Sequence, residues 1–212
     1  MTTELGLRER KKQRTHQLIA DTAWRLFAAR GFENVTVAEI AAEADVSQAT
    51  VFNYFPTKED LVFHRMEAFE QELLAAIRDR PDGESIVQAF GRFAIQERGF
   101  LASDDARATE GMREAARILT ESPTLLARER QIFEHYTDAV AALIADEQGV
   151  ARDDPEPWVT ANALIGLHRA LIDYVQRQAL AGVPNRQIAK NLRTHGERAL
   201  ALLEHGLGGP AH

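Results

Sequence analysis

The sequence predicts an all-α chain of about nine helices arranged in two parts. Three observations predict it. Apolar residues recur at three- and four-residue spacing through most of the 212 residues, the period of an amphipathic helix. No stretch alternates apolar and polar residues as a half-buried strand would, and no fold-wide repeat stands out. Breakers separate the periodic runs: Gly31, Pro56, Pro81-Asp82-Gly83, Pro123, the acidic loop Gly149 to Pro155, and Gly182 with Pro184.

Residues 1–9 are expected to form a disordered basic arm. From Arg10 to Arg30, Leu18, Ile19, Thr22, Ala23, Leu26 and Phe27 recur at helical spacing, and Gly31 gives a C-cap signal. Phe32 and Val35 are expected to pack under the turn that follows. Thr36 is an N-cap residue with Glu39 three positions on, a capping box for a short helix with Val37, Ile40 and Ala41 on its apolar face. Asp45 falls where the chain must turn, and aspartate tolerates the left-handed conformation better than most residues. Ser47 caps a second short helix, which turns Val51 and Phe55 toward the core and stops before Pro56. Thr57 then caps a helix predicted to run unbroken to about Arg80, carrying Leu61, Val62, Met66, Phe69, Leu73, Leu74 and Ile77. At 1.5 Å per residue its length would be roughly 35 Å.

Further helices are predicted over 84–101 (Ile86, Phe90, Phe93), 104–120 (Ala108, Met112, Ala115, Ala116, Leu119) and 123–148 (Leu126, Ile132, Phe133, Tyr136, Val140, Leu143, Ile144). Two more cover 156–181 and 184–207, and the tail GLGGPAH should be loose. The boundary between the parts falls inside the long helix, giving a domain over 10–66 and another over 67–208.

Thr36 to Leu61 reads as two short helices, a tight turn and the start of a third. This is the layout of a helix-turn-helix, whose second helix enters the DNA major groove. The outward residues of that helix are Gln48, Ala49, Thr50, Phe52, Asn53 and Tyr54. They are short, polar or aromatic, and suit base edges, a thymine methyl and phosphates. Gln48, Thr50 and Asn53 are the candidates for bases, with Ala49 on the same face. Thr36, Tyr54 and Lys58 are the candidates for phosphates, and Ser47 is a further DNA-binding candidate whose simpler reading is a cap. An ordinary helical hairpin with a polar face carries the same local pattern.

The stretch from Arg14 to Leu61 resembles the N-terminal domain of the TetR family of transcriptional repressors. The matching residues are ADTAWRLFAARGFENVTVAEIAAEADVS followed by TVFNYFPTKEDL, about the first quarter of the chain, with phase, length and order all in agreement. Asp45 and Ala49 stand where the family commonly has glycine, and Phe52, which lacks a hydroxyl for a phosphate, where it commonly has tyrosine. The resemblance implies a ligand-responsive regulator, with Thr36, Tyr54 and Lys58 facing DNA, an effector pocket in the C-terminal body and a homodimer. It gives the pocket a location and no ligand, because the C-terminal halves of the family are diverse.

Bulk properties agree with one-ended contact with DNA. The net charge is -7, yet residues 1–30 carry seven basic groups against three acids, +4 locally. With no cysteine there is neither a disulfide framework nor a thiolate metal site. No apolar run reaches the roughly 20 residues a membrane span needs, and no apolar segment follows the basic residues of MTTELGLRERKKQR as in a signal peptide. A cytoplasmic protein without a membrane partner is expected.

For a small molecule, the candidate lining residues are Phe69, Phe90, Phe93, Met112, Phe133, Tyr136, Trp158 and His168, all on presumed core faces of the body helices. Plain core is the simpler reading of each one taken alone. Arg113 and Arg117, one turn apart, could hold a carboxylate or phosphate, and Glu97 follows Phe93 by one turn. The histidines form no HExxH or paired i, i+4 arrangement, and no GxSxG, P-loop or GxGxxG is present, so no cofactor, metal or enzymatic activity is expected. The helix over 156–181 is apolar nearly all round and that over 184–207 carries a second stripe. Together they suit a four-helix bundle between two copies, whose recognition helices would read a palindromic operator about 34 Å apart. The competing readings are a constitutive dimeric DNA-binding protein, and an α-helical carrier or enzyme with an incidental helix-turn-helix.

Overall fold

The computed structural model describes residues 6–205, which form ten α-helices, one 3₁₀ turn and no strand. The chain divides into two compact units, the first comprising residues up to Arg65 with Ile118–Arg128, the second Met66–Arg117 and the residues from Glu129 on.

In the first unit, helix α1 (Leu7–Arg30) buries Ile19, Ala20, Ala23 and Phe27 along one face. It begins inside the segment expected to be a basic arm, because Leu7 to Arg14 is rich in good helix formers. Residues 1–5 of that arm, and the tail GLGGPAH, lie outside the described residues. Gly31, at φ 80, ends α1 with its N–H on the Phe27 carbonyl at 2.8 Å. Helix α2 (Val37–Glu43) has the complete capping box of Thr36 and Glu39. Asp45 makes the turn at φ 54, the one left-handed non-glycine position among the described residues. Helix α3 (Gln48–Tyr54) is capped by Ser47 and stops at the extended Phe55 before Pro56. Helix α4 (Asp60–Phe63) is opened by a reciprocal pair: the Thr57 N–H reaches Asp60 Oδ2 at 2.9 Å and the Asp60 N–H reaches Thr57 Oγ1 at 3.2 Å.

The long helix predicted over 57–80 is two helices. After α4, His64 and Arg65 form a turn, and helix α5 (Met66–Arg78) starts afresh. No glycine or proline marks the break. His64 places Nδ1 3.3 Å from the Leu61 carbonyl oxygen, a side-chain intrusion of the kind that interrupts a helix ladder. This accounts for ten helices where about nine were predicted.

In the second unit, α5 is followed by α6 (Ile86–Ala94), capped by a box of Ser85 and Gln88. The helix predicted to reach 101 ends at Ala94, and a 3₁₀ turn (Gly99–Ala102) follows. Helices α7 (Ala106–Glu121) and α8 (Pro123–Gln148) lie in this unit except for their junction, Ile118–Arg128, which belongs to the first; there the buried Oγ of Ser122 accepts the Leu125 N–H at 3.1 Å. Helix α9 (Pro155–Leu180) has Asp154 as its cap and proline in its first turn, where the missing N–H costs nothing. Helix α10 (Asn185–His205) closes the described chain. The core gathers Leu73, Ile77, Phe90, Phe93, Val140, Ile144, Leu164, Ile165, Leu171, Ile188 and Leu192 from α5, α6, α8, α9 and α10. Close approach of α10 relies on Gly196: a Cβ there would lie 2.4 Å from Cγ2 of Ile95.

Candidate nucleic-acid interface and ligand site

Helix α3 is held by one face and presents the other. Val51 and Phe55 are both 1% exposed and anchor it. Gln48, Ala49, Phe52 and Asn53 are exposed on the opposite side, with Thr50 and Tyr54 partly buried. Phe52, at 46% exposure, is a large apolar side chain left in solvent. The Ser47 hydroxyl accepts the Thr50 N–H at 3.0 Å and lies 2.8 Å from Thr50 Oγ1, so Ser47 is a working cap that also orients its neighbour.

The phosphate candidates are placed differently from one another. Thr36 Oγ1 donates to Glu39 Oε2 at 2.7 Å and accepts the Glu39 N–H at 3.3 Å. The Thr36 hydroxyl and the Thr36 N–H, which reaches Glu39 Oε2 at 2.7 Å, aided by Arg30, hold the Glu39 carboxyl down at about 2. Tyr54 sets its ring edge-on to His16, with centroids 6.2 Å apart. Lys58 departs from the expected outward pose. Its Nζ donates to the Phe32 carbonyl at 2.6 Å and lies 4.1 Å from the Phe32 ring centroid, and burial lowers its pKa. Nothing in the linear sequence marks this contact, which spans 26 residues.

The basic residues of α1 fall into two groups. Arg25 pairs with Glu43 at 3.1 Å and Arg30 with Glu39 at 2.8 Å. Arg8, Arg10, Lys11, Lys12 and Arg14 are all exposed and make no ion pair among the described residues. His16, on the next turn, packs against Phe55 with centroids 4.4 Å apart and against His64 at 5.5 Å. Burial, then His64 and Lys12, lower its pKa.

In the second unit, six of the eight predicted lining residues form one aromatic cluster centred on Phe69 and His168. Its imidazole stacks on Phe69 (5.2 Å between centroids, 22° between planes) and is edge-on to Phe90 and Phe133 at 6.4 and 6.1 Å. Phe69 also meets Phe93 at 5.2 Å and Tyr136 at 5.6 Å. The Tyr136 hydroxyl donates to the Met66 carbonyl at 3.0 Å, and burial raises its pKa. His168 is 8% exposed, its Nδ1 has no hydrogen-bond partner, and burial, reinforced by Arg98, pushes its pKa down to about 4. It is therefore a neutral imidazole at ordinary pH.

Two predicted lining residues are placed elsewhere. Trp158 is 37% exposed at the start of α9, with its indole N–H on the Arg152 carbonyl at 3.1 Å, because the loop before α9 supplies an acceptor the core does not. Met112 is only partly buried at the edge of the core. Arg98 escaped the sequence reading. It stands in the irregular segment after α6, and its guanidinium lies 3.8 Å from the Phe93 ring centroid and 5.8 Å from that of Phe69. Of the polar groups picked out instead, Glu97 pairs with Arg193 at 3.1 Å and Arg113 with Glu110 at 2.8 Å, both on exposed surface. Among the described residues no three His, Asp or Glu side chains gather as a metal site would require.

Comparison with known proteins decides the family. Residues 19–64 match the family model described as bacterial regulatory proteins, tetR family, and residues 84–207, more than half of the chain, match the MftR C-terminal domain. The chain belongs to the TetR family. Within that family it is 32% identical over 151 residues to the HTH-type transcriptional regulator TcmR of Streptomyces glaucescens, covering 70% of this chain and 67% of TcmR. It is 25% identical over 158 residues to MftR of Mycobacterium tuberculosis, covering 74% of this chain and 78% of that one. The TetR fold is also that of NalD, the secondary repressor of the MexAB-OprM multidrug efflux pump in Pseudomonas aeruginosa. That structure has a TM-score of 0.55 at 19% identity, over 88% of this chain and 97% of NalD. As a TetR-family member the chain is a DNA-binding transcriptional regulator with a helix-turn-helix formed by α2 and α3. No described helix is long and apolar enough to cross a membrane.

Proposed function

We propose that this regulator is a homodimeric repressor that binds a palindromic operator and is released by a small hydrophobic effector bound in the second unit. The observation that carries the DNA half is the outward face of α3, anchored from behind by Val51 and Phe55. Gln48, Thr50 and Asn53 read base edges, with Ala49 against a thymine methyl. Thr36, Ser47 and Tyr54 hold phosphates, and the unpaired cations of α1 add salt-dependent affinity. Lys58 spends one of its three N–H donors on the Phe32 carbonyl, so its first role is to hold the turn after α1. In this reading residues 10–66 read DNA, and the rest of the chain binds the effector and the second copy.

The dimer reading rests on a row of exposed small and apolar residues at helical spacing on α9: Val159, Ala163, Gly166 and Ala170, with Leu202 exposed on α10. The effector reading rests on the aromatic box around His168, whose Phe69 belongs to α5, the helix separated from α4 by two residues. A ligand that displaces Phe69 shifts the equilibrium only by its preference for one of two states.

The test is selection of random duplex DNA by the purified chain at about 0.15 M salt, where non-specific binding is weak. A palindrome with half-sites about one helical turn apart is expected. Recovery of a single asymmetric half-site by a monomer would sink the dimeric reader, and an operator complex that no small molecule releases would sink the effector.

A further inference from the structure

Arg98 is a cation left without an anion. Its guanidinium is half-buried, donates to the Phe93 carbonyl at 2.6 Å and to the Gln96 side-chain oxygen, and rests on the rings of Phe93 and Phe69. Both acceptors are neutral. Among the described residues no carboxylate pairs with it, and Glu72 acts on it only from beyond ion-pairing range. Glu97, next to Arg98 in sequence, is engaged with Arg193 at 3.1 Å, and Glu70, next to Phe69 in sequence, with His135 at 3.1 Å. A desolvated cation without a counter-charge is unfavourable unless something supplies one. A guanidinium has five N–H donors, and the two bonds named leave enough for a bidentate carboxylate.

The unpaired cation adjoins a second unsatisfied group. Phe69 touches both, lying under the Arg98 guanidinium and stacked on His168. His168 is more than nine-tenths buried with Nδ1 unpartnered, and a buried polar atom without a partner in a well-packed core calls for an explanation. The surroundings are rings, those of Phe93, Phe133 and Tyr136, and the near-parallel Phe69–His168 stack shows the face that another flat π-system would cover in place of Phe69.

We propose that the effector is a planar aromatic carboxylate. Its carboxylate pairs with Arg98, and its ring displaces Phe69 and takes that ring's place against the His168 imidazole. This rests on the reading of the second unit as the effector-binding part, and adds to it a charge, a shape and an anchoring residue. A cationic ligand would meet the charge of Arg98, which Glu72 offsets only from beyond ion-pairing range. An aliphatic carboxylate would satisfy Arg98 but leave the stack without a partner.

The experiment is isothermal titration of the full chain with benzoate, 2-naphthoate and 9-anthroate, with their neutral amides, with (2-naphthyl)methylammonium and with octanoate. At least one aromatic carboxylate is expected to bind at least about tenfold more tightly than its amide, the difference one charge-assisted hydrogen bond provides. It should also bind more tightly than the ammonium and octanoate. Arg98→Gln should bring the carboxylate down to the level of its amide, and Arg98→Lys should restore part of the difference. Equal binding of acid and amide, a preference for the ammonium or octanoate, or a carboxylate preference that survives Arg98→Gln overturns the proposal. The wild-type comparison decides even if a variant fails to fold. Release of operator DNA by an amide or the ammonium would leave the effector reading standing while the anionic ligand falls. Binding by none of the probes overturns the aromatic carboxylate, and the operator-release screen then judges the effector reading by itself.

Discussion

The imidazole of His168 lies on the phenyl ring of Phe69, with centroids 5.2 Å apart and planes 22° apart, joining α9 to α5 through a histidine that burial keeps neutral. A ring of this kind serves packing and offers a polar atom at once. It places the only buried imidazole among the described residues beside the helix that follows the DNA-binding unit.

His168 makes stability depend on pH. Its folded pKa is about 4, below the ordinary 6.5, so between those values the unfolded chain binds the extra proton. Stability is therefore full above about pH 6.5 and falls as pH drops toward 4, by on the order of 3 kcal/mol. His168→Phe should flatten that part of the curve in urea melts recorded from pH 7 to 4. An unchanged slope would place the titration elsewhere.

Asn53 and Tyr54 adjoin in sequence but should respond differently. Asn53→Ala or Gln48→Ala is expected to cost about 1–3 kcal/mol at particular base pairs and relax preference there. Tyr54→Phe should weaken binding to every duplex alike. Competition titrations against single-base operator variants separate the two. Uniform loss from all three substitutions would contradict the assignment of base and phosphate roles.

The capping box at Thr36 predicts a local stability effect. Thr36→Ala removes the acceptor for the Glu39 N–H and should cost roughly 1 kcal/mol, read as a lower urea midpoint. Because Thr36 and Arg30 hold the Glu39 carboxyl at about 2, its stabilising share is present above the ordinary carboxylate pKa and is lost as pH falls through that window. In Thr36→Ala the Glu39 resonance should titrate higher by NMR.

Lys58→Ala should destabilise the first unit even without DNA, by roughly 1 kcal/mol, through loss of the Phe32 carbonyl bond and the ring contact. A variant as stable as the parent but deficient in DNA binding would show that the ammonium faces phosphate instead.

Gly196→Ala should cost about 1–3 kcal/mol, because the added methyl meets Ile95 at 2.4 Å and a β-branched side chain cannot easily turn away. Gly166→Ala, where nothing lies within 4 Å, is the control and should be close to neutral in the monomer. Thermal melts of the two variants make the comparison.

What the sequence determined by itself was local. Thr36 with Glu39, Ser47 before Gln48, Phe55 before Pro56 and the φ 54 turn at Asp45 are decided by atoms three or four residues apart, so the helix-turn-helix and its outward face were legible residue by residue. Helical periodicity likewise marked the core faces, which is why Phe69, Phe90, Phe93, Phe133, Tyr136 and His168 could be named before they met. Tertiary structure decided what depends on a partner distant in sequence or on side-chain direction. It broke the long helix at His64, turned Lys58 onto Phe32 and left Trp158 at the surface. It also brought Ile118–Arg128 into the first unit, where Ser122 donates to Glu33. The stranded cation of Arg98 was invisible for the same reason. An arginine is ordinary in a sequence, and only the packing around it shows that it is half-buried against two rings with no carboxylate in ion-pairing range among the described residues.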